Sequence, residues 1–105
     1  MISKNRKIFL AGHKGMVGSA ILKRLKKDGY KKIILVAKKK LNLLNQKKVE
    51  SFLKRKKPHI VIIAAAKVGG ILANNNFKAN FIYENLTIQS NIIHGSYLSG
   101  VKNLI

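Results

Sequence analysis

Seven residues near the start of the chain hold the spacing with the most chemistry in it: Gly12, His13, Lys14, Gly15, Met16, Val17 and Gly18. Glycines three apart, with a lysine between the first two, suit a backbone turn that wraps a phosphate rather than a side-chain catalyst. Gly12 permits a tight exit from a strand. Gly15 lets a pyrophosphate approach the backbone, and Gly18 lets a following helix press against a sheet. The anion would rest on main-chain N–H groups at the positive end of that helix. A glycine triplet alone also describes a tight turn with no ligand, so its setting decides its value.

The flanking pattern supplies that setting. Residues 7–11 read as a buried strand ending at Gly12, and 16–28 as a helix. That helix has Val17, Ile21, Leu22 and Leu25 on one face, lysines and Arg24 on the other, and Gly29 as its stop. Residues 33–36 form a second apolar run bounded by lysines. Asn45 caps a helix over 46–56, with Val49, Phe52 and Leu53 inward and Pro58 beyond its end. Residues 60–63 are a third strand, followed by a loop holding Lys67, Gly69, Gly70, Asn74 and Asn75. A long helix over 79–99 stops at Gly100, and 101–105 open a fourth strand.

Alternation of continuous Ile/Val/Leu runs with helices predicts an α/β fold, a Rossmann-like three-layer sandwich around a parallel sheet. Right-handed crossovers predict the order 3-2-1-4, cut short in the fourth strand. Residues 1–105 are thus expected to be an incomplete, N-terminal part of a Rossmann domain.

The end of the second strand bears on which dinucleotide fits. NAD-binding units carry an acid about 20 residues beyond the glycines, for the ribose 2′-OH. Here stand Lys38, Lys39 and Lys40 and no acid, which suits the 2′-phosphate of NADP(H), with Lys14 closing from the glycine loop. A solvated lysine run gives the same letters.

Lysines are everywhere in this chain. Its 105 residues hold 22 Lys+Arg against 3 Asp+Glu, a formal charge of +19. That is the footprint of a nucleic-acid binder, and a non-catalytic basic nucleotide- or nucleic-acid-binding module is the alternative reading. Only three of those cations are Arg, the residue that forks onto phosphates and bases, and the lysines are scattered. Lys, Ile and Asn, which share A/T-rich codons, make up 43 residues, so compositional drift explains the charge better and nucleic acid is not the expected partner.

Absence of cysteine excludes disulfides and thiolate metal sites, and no apolar run reaches the ~20 residues of a membrane span. A cytoplasmic location without membrane contact is expected. His13, His59 and His94 sit on different elements without acidic company and suggest no metal. On the long helix, Phe81, Ile88 and Ile92 form one apolar stripe and Ile82, Leu86, Ile93 and Tyr97 another, so it should bury one face in the domain and offer the second elsewhere.

Several segments together carry a resemblance: 11–20 (AGHKGMVGSA), 41–45 (LNLLN), 64–71 (AAAKVGGI), 73–75 (ANN), 81–86 (FIYENL) and 89–94 (QSNIIH). Over essentially its whole length the chain resembles the GDP-L-fucose synthases, extended short-chain dehydrogenase/reductases. The resemblance implies C3 and C5 epimerisation of GDP-4-keto-6-deoxy-D-mannose and NADPH reduction of its 4-keto group. It places residues 12–18 around the pyrophosphate and sets Lys14 and Lys38 where the family has 2′-phosphate arginines. It also lays Leu41, Asn42 and Leu43 beside the adenine, and Ala64 and Ala65 by a ribose.

The resemblance further implies a nucleotide-sugar substrate and a homodimer through the 79–99 helix. There are departures: Asn45 stands where an acid is common, and Lys78-Ala79-Asn80 replaces a Pro-Ala-Asp stretch. The family's Ser, Tyr-x-x-x-Lys, Cys and His groups all fall after the fourth strand. Neither Tyr83 nor Tyr97 has Lys four residues on, so no catalytic residue is assigned and the chain alone is expected to be inactive.

Overall fold

The computed structural model describes residues 4–64 and 78–105. Their element order is β1 (Ile8–Ala11), α1 (Met16–Lys27), β2 (Ile33–Ile34), α2 (Gln46–Lys56), β3 (Ile60–Ile63), α3 (Lys78–Leu98) and β4 (Asn103–Leu104). All strand pairs are parallel, as continuous apolar runs require. The α/β, Rossmann-like expectation holds.

The strand order does not follow expectation: it is β2-β1-β3-β4, not 3-2-1-4. β3 pairs with β1 along its full length, from Ile8 with Ile60 to Ala11 with Ile63, whereas β2 pairs through two residues only. The reason lies in the flanks of β2. Lys31, Lys32 and Lys38–Lys40 are all exposed, which suits a short edge strand, while the uncharged Ile-Val-Ile-Ile of β3 suits the interior. After Ile34 the chain leaves the sheet, so Leu35 and Val36 are not strand.

This order also sets the layers. The chain steps from β1 out to β2, then crosses back over β1 to β3 and on to β4. Right-handed crossovers in opposite directions put α1 on one face and α2 with α3 on the other. α2 and α3 do pack together, so closely that a Cβ at Gly95 would lie 2.9 Å from Leu53 Cδ1. The core fills the space between this helix pair and the sheet. Phe9 tilts against Phe52 with ring centroids 4.9 Å apart, and Val49, Leu53, Val61, Ile88 and Ile92 close around them.

Among the described residues α1 packs chiefly on β1. Its expected inward face is therefore covered in part: Ile21, Leu22 and Leu25 are half-buried, and Val17 is 58% exposed. α3 splits as its two stripes require. Ile88 and Ile92 are buried, while Ile82, Leu86, Ile93 and Tyr97 stand exposed. The side chain of Phe81 lies outside the described set.

α2 shows how local chemistry sets helix ends. The Asn45 side chain accepts from the Lys48 N–H at 3.0 Å, satisfying a first-turn donor. At the other end Lys57 turns left-handed (φ +46) as its N–H reaches the Leu53 carbonyl at 2.9 Å. Two substitutions should thus move stability in opposite directions. Asn45→Ala should cost about 1 kcal/mol by loss of the cap, and Lys57→Gly should gain up to about 1 kcal/mol by relieving the left-handed backbone. Urea unfolding of the two variants against wild type measures both.

Candidate functional site

β1 ends at Ala11, and Gly12 turns the chain with φ +88, a conformation that favours glycine. The Gly15 N–H donates to the Gly12 carbonyl at 3.2 Å, and α1 begins at Met16. This turn brings the Gly12 carbonyl against the first turn of α1. A Cβ on Gly18 would overlap that oxygen and lie 2.6 Å from its carbon. Gly18 is therefore demanded by the protein itself.

Gly15 is different. It has an ordinary φ of −74, and a Cβ there would meet only the Gly12 oxygen, at 3.6 Å. The local packing has room for alanine, so beyond the modest N-cap preference for glycine no close contact within the described residues demands it. α1 also lacks the side-chain cap that α2 has, and like α2 it holds no acid in its first turn. Its positive end is left for an anion to serve.

A cleft of about 300 Å³ opens beside this turn. It is lined by Phe9, earlier in β1, and by Ala11 and Ala64, at the carboxyl ends of β1 and β3. Those neighbours mark the point where successive crossovers pass to opposite faces, the position at which open α/β sheets bind ligands. Gly12, His13, Lys14 and Gly15 form one rim, with Val36 and Lys38 nearby, while Leu41, Asn42, Leu43 and Leu44 form a wall. α3 contributes Glu84 and Ile88.

The wall is shaped by its own hydrogen bonds. Both Lys40 and Leu41 N–H donate to the Ala37 carbonyl, at 2.9 and 3.1 Å. Asn42 Oδ1 accepts from the Leu44 N–H, and its carbonyl accepts from the Asn45 N–H, each at 3.0 Å. Buried Leu41 anchors the segment in the core. From α3, Asn91 Nδ2 donates to the Leu43 carbonyl at 2.9 Å.

The residues expected from sequence are thus largely brought together. Gly12, His13, Lys14, Gly15, Lys38, Leu41, Asn42, Leu43 and Ala64 line one cleft. Met16 and Val17 do not line it; they are exposed on the first turn of α1, with Gly18 buried beside them. Ala65, Lys67, Asn74 and Asn75 lie outside the described residues. From the run 38–40, Lys38 alone reaches the cleft. Sequence reasoning missed Phe9, Ala11, Val36, Leu44, Glu84 and Ile88. The last two are four apart on a helix and so share a face, but which face meets the cleft depends on the sheet order.

His59 Nδ1 accepts from the Lys7 N–H at 3.0 Å and His94 is exposed on α3. Among the described residues no three His, Cys, Asp or Glu come together as a metal site, and no helix is long and apolar enough to cross a membrane.

The profile of the NAD dependent epimerase/dehydratase family matches residues 8–105. The chain belongs to that family. Within it, the chain is 51% identical over all 105 residues to an Arabidopsis thaliana protein called putative GDP-L-fucose synthase 2, spanning 32% of that relative's length. In structure it is similar to the NADP-bound GDP-mannoheptose C4 reductase of Campylobacter jejuni (TM-score 0.93, 43% identity, covering 99% of this chain and 33% of that one). It is also similar to an NADP-bound GDP-L-fucose synthetase from Naegleria fowleri (TM-score 0.81, 30% identity, 99% and 31%). The chain spans about a third of the length of the epimerase/dehydratase relatives it matches.

The two glycines of the turn should separate under mutation. Gly18→Ala should lose roughly 2 kcal/mol or more, since backbone rather than a flexible side chain must yield. Gly15→Ala should lose no more than about 1 kcal/mol, the difference between glycine and alanine at a helix cap. Denaturant midpoints compared at equal slope read the result.

Proposed function

We propose that the cleft holds NADP(H), and that the chain is the N-terminal, cofactor-binding portion of a GDP-L-fucose synthase. The parent reaction is C3 and C5 epimerisation followed by 4-keto reduction of GDP-4-keto-6-deoxy-D-mannose. The observation that carries this reading is the meeting of Lys14 and Lys38 on the rim of one cleft, beside an uncapped helix start. The residues present fit the group. Open space at Gly15 admits a pyrophosphate, two cations suit a 2′-phosphate, and an apolar wall suits an adenine.

In this reading residues 12–18, His13, Met16 and Val17 among them, hold the pyrophosphate with main-chain N–H groups. Lys14 and Lys38 hold the 2′-phosphate as point charges, without the bidentate fork an arginine gives. Leu41, Asn42 and Leu43 flank the adenine, and the small side chains of Ala64 and Ala65 admit a ribose. Bound there, the cofactor supplies a hydride to a keto carbon of the sugar. In this reading the chain orients the dinucleotide, and among the described residues neither Tyr83 nor Tyr97, both exposed on α3, lines the cleft. We therefore assign binding, not turnover, to the chain alone.

Relatives whose names specify GDP-L-fucose and GDP-mannoheptose support a GDP-sugar as the parent's substrate. The exposed apolar stripe of α3 supports a homodimer built on that helix. A cytoplasmic location fits such an enzyme, and scattered lysines favour no nucleic-acid partner.

Binding of NADPH and NADH, followed by nicotinamide fluorescence, tests the reading. Lys14→Gln and Lys38→Gln should each weaken NADPH by about tenfold, the loss of one charge-assisted contact, and leave NADH unchanged. Equal loss for both cofactors would remove the 2′-phosphate assignment. Salt-sensitive binding of nucleic acid with no saturable NADPH binding would favour the polyanion alternative.

A further inference from the structure

Asn91 is 7% exposed, on the face of α3 that carries buried Ile88 and Ile92. An amide in such surroundings loses its hydration, and an apolar side chain of the same size would pack there without that loss. Its Nδ2 meets the Leu43 carbonyl at 2.9 Å, across 48 positions of sequence. The bonds to the Ala37 carbonyl and the Asn42 turn are local; they give the 41–44 segment its shape but not its place. Buried Leu41, half-buried Leu43 and the Asn91 bond all hold it against the core and α3, and of these three Asn91 is the one that grips its backbone by a hydrogen bond.

Leu43 and Ile88 are both walls of the cleft, and Ile88 lies three residues before Asn91 on the same helix face. Tying the backbone of one wall to the helix that carries the other sets the separation between them. We propose that Asn91 is a positioning residue for the adenine end of the cofactor: it fixes the width of the cleft without touching the ligand. The inference rests on the NADP(H) reading of the cleft. Asn91 acts through the Leu43 carbonyl and is not a catalytic residue.

The test uses the full chain with NADPH and with 2′,5′-ADP, which shares the adenine and 2′-phosphate but lacks the nicotinamide. Asn91→Leu keeps the side chain's branching and number of heavy atoms and removes the donor. It should weaken both ligands by the same factor, about tenfold, as expected when a part-buried carbonyl is left unpaired. It should also speed hydrogen exchange at the Leu44 and Asn45 amides. Asn91→Gln, which keeps an amide donor on a longer arm, should recover part of the affinity.

Ser96→Ala is the control for a merely structural effect. The Ser96 hydroxyl is buried on the same helix without a hydrogen-bond partner, and its loss should change neither affinity nor exchange. Wild-type affinity for both ligands in Asn91→Leu overturns the role of Asn91. A wild-type chain that binds neither ligand overturns the cofactor reading beneath it, and the two failures are told apart by that measurement.

Discussion

The Gly12 carbonyl sits so close to the first turn of α1 that residue 18 has no room for any side chain. This approach is the constraint on which the cleft depends. It pins the start of a helix to the end of the central strand, and so aims the helix's first amides across the carboxyl edge of the sheet. Moving α1 outward by one methyl group would relieve the crowding and would also withdraw the positive end from the rim. The same turn leaves space at Gly15, so within seven residues one glycine serves packing and another serves access.

Electrostatics in this chain are a matter of placement rather than amount. A formal charge of +19 is scattered along the chain, and most of the lysines that carry it are exposed. The described ion pair, Arg24 with Asp28 at 3.1 Å, joins exposed groups one helical turn apart and contributes little. Two exposed lysines, Lys14 and Lys38, differ from the rest because the backbone delivers both to the lining of one concave space. Family membership and the NADP-bound neighbours agree on the cofactor, NADP.

Much of this was legible in the sequence, and what was not has a common cause. The ends of α2 could be read to the residue, because Asn45 and Pro58 act locally on the helix they bound. The glycine turn and its helix were equally local. β2 was read too long, because the apolar run 33–36 reports burial whereas only Ile33 and Ile34 find a partner strand. Strand order went wrong for the same reason, since β1 could have taken either neighbour on periodicity alone. The lysines around β2 held the deciding information. Val17 was assigned to a buried face, but among the described residues α1 leans chiefly on β1 and Val17 is left exposed. Glu84 and Ile88 escaped because no local pattern tells which helix face will overlie a loop 40 or more positions earlier.

The segment ending at Asn45 belongs to two structures at once. Its residues wall the cleft, and its last side chain caps α2, which packs on α3. A ligand lodged against that wall therefore binds the native chain and not the unfolded one. By mass action it adds RT ln(1 + [L]/Kd) to the stability of the whole, about 2.7 kcal/mol at a hundredfold excess over Kd. Because the wall and the α2 cap share one segment, such a ligand would stabilise the helix pair as well as the cleft.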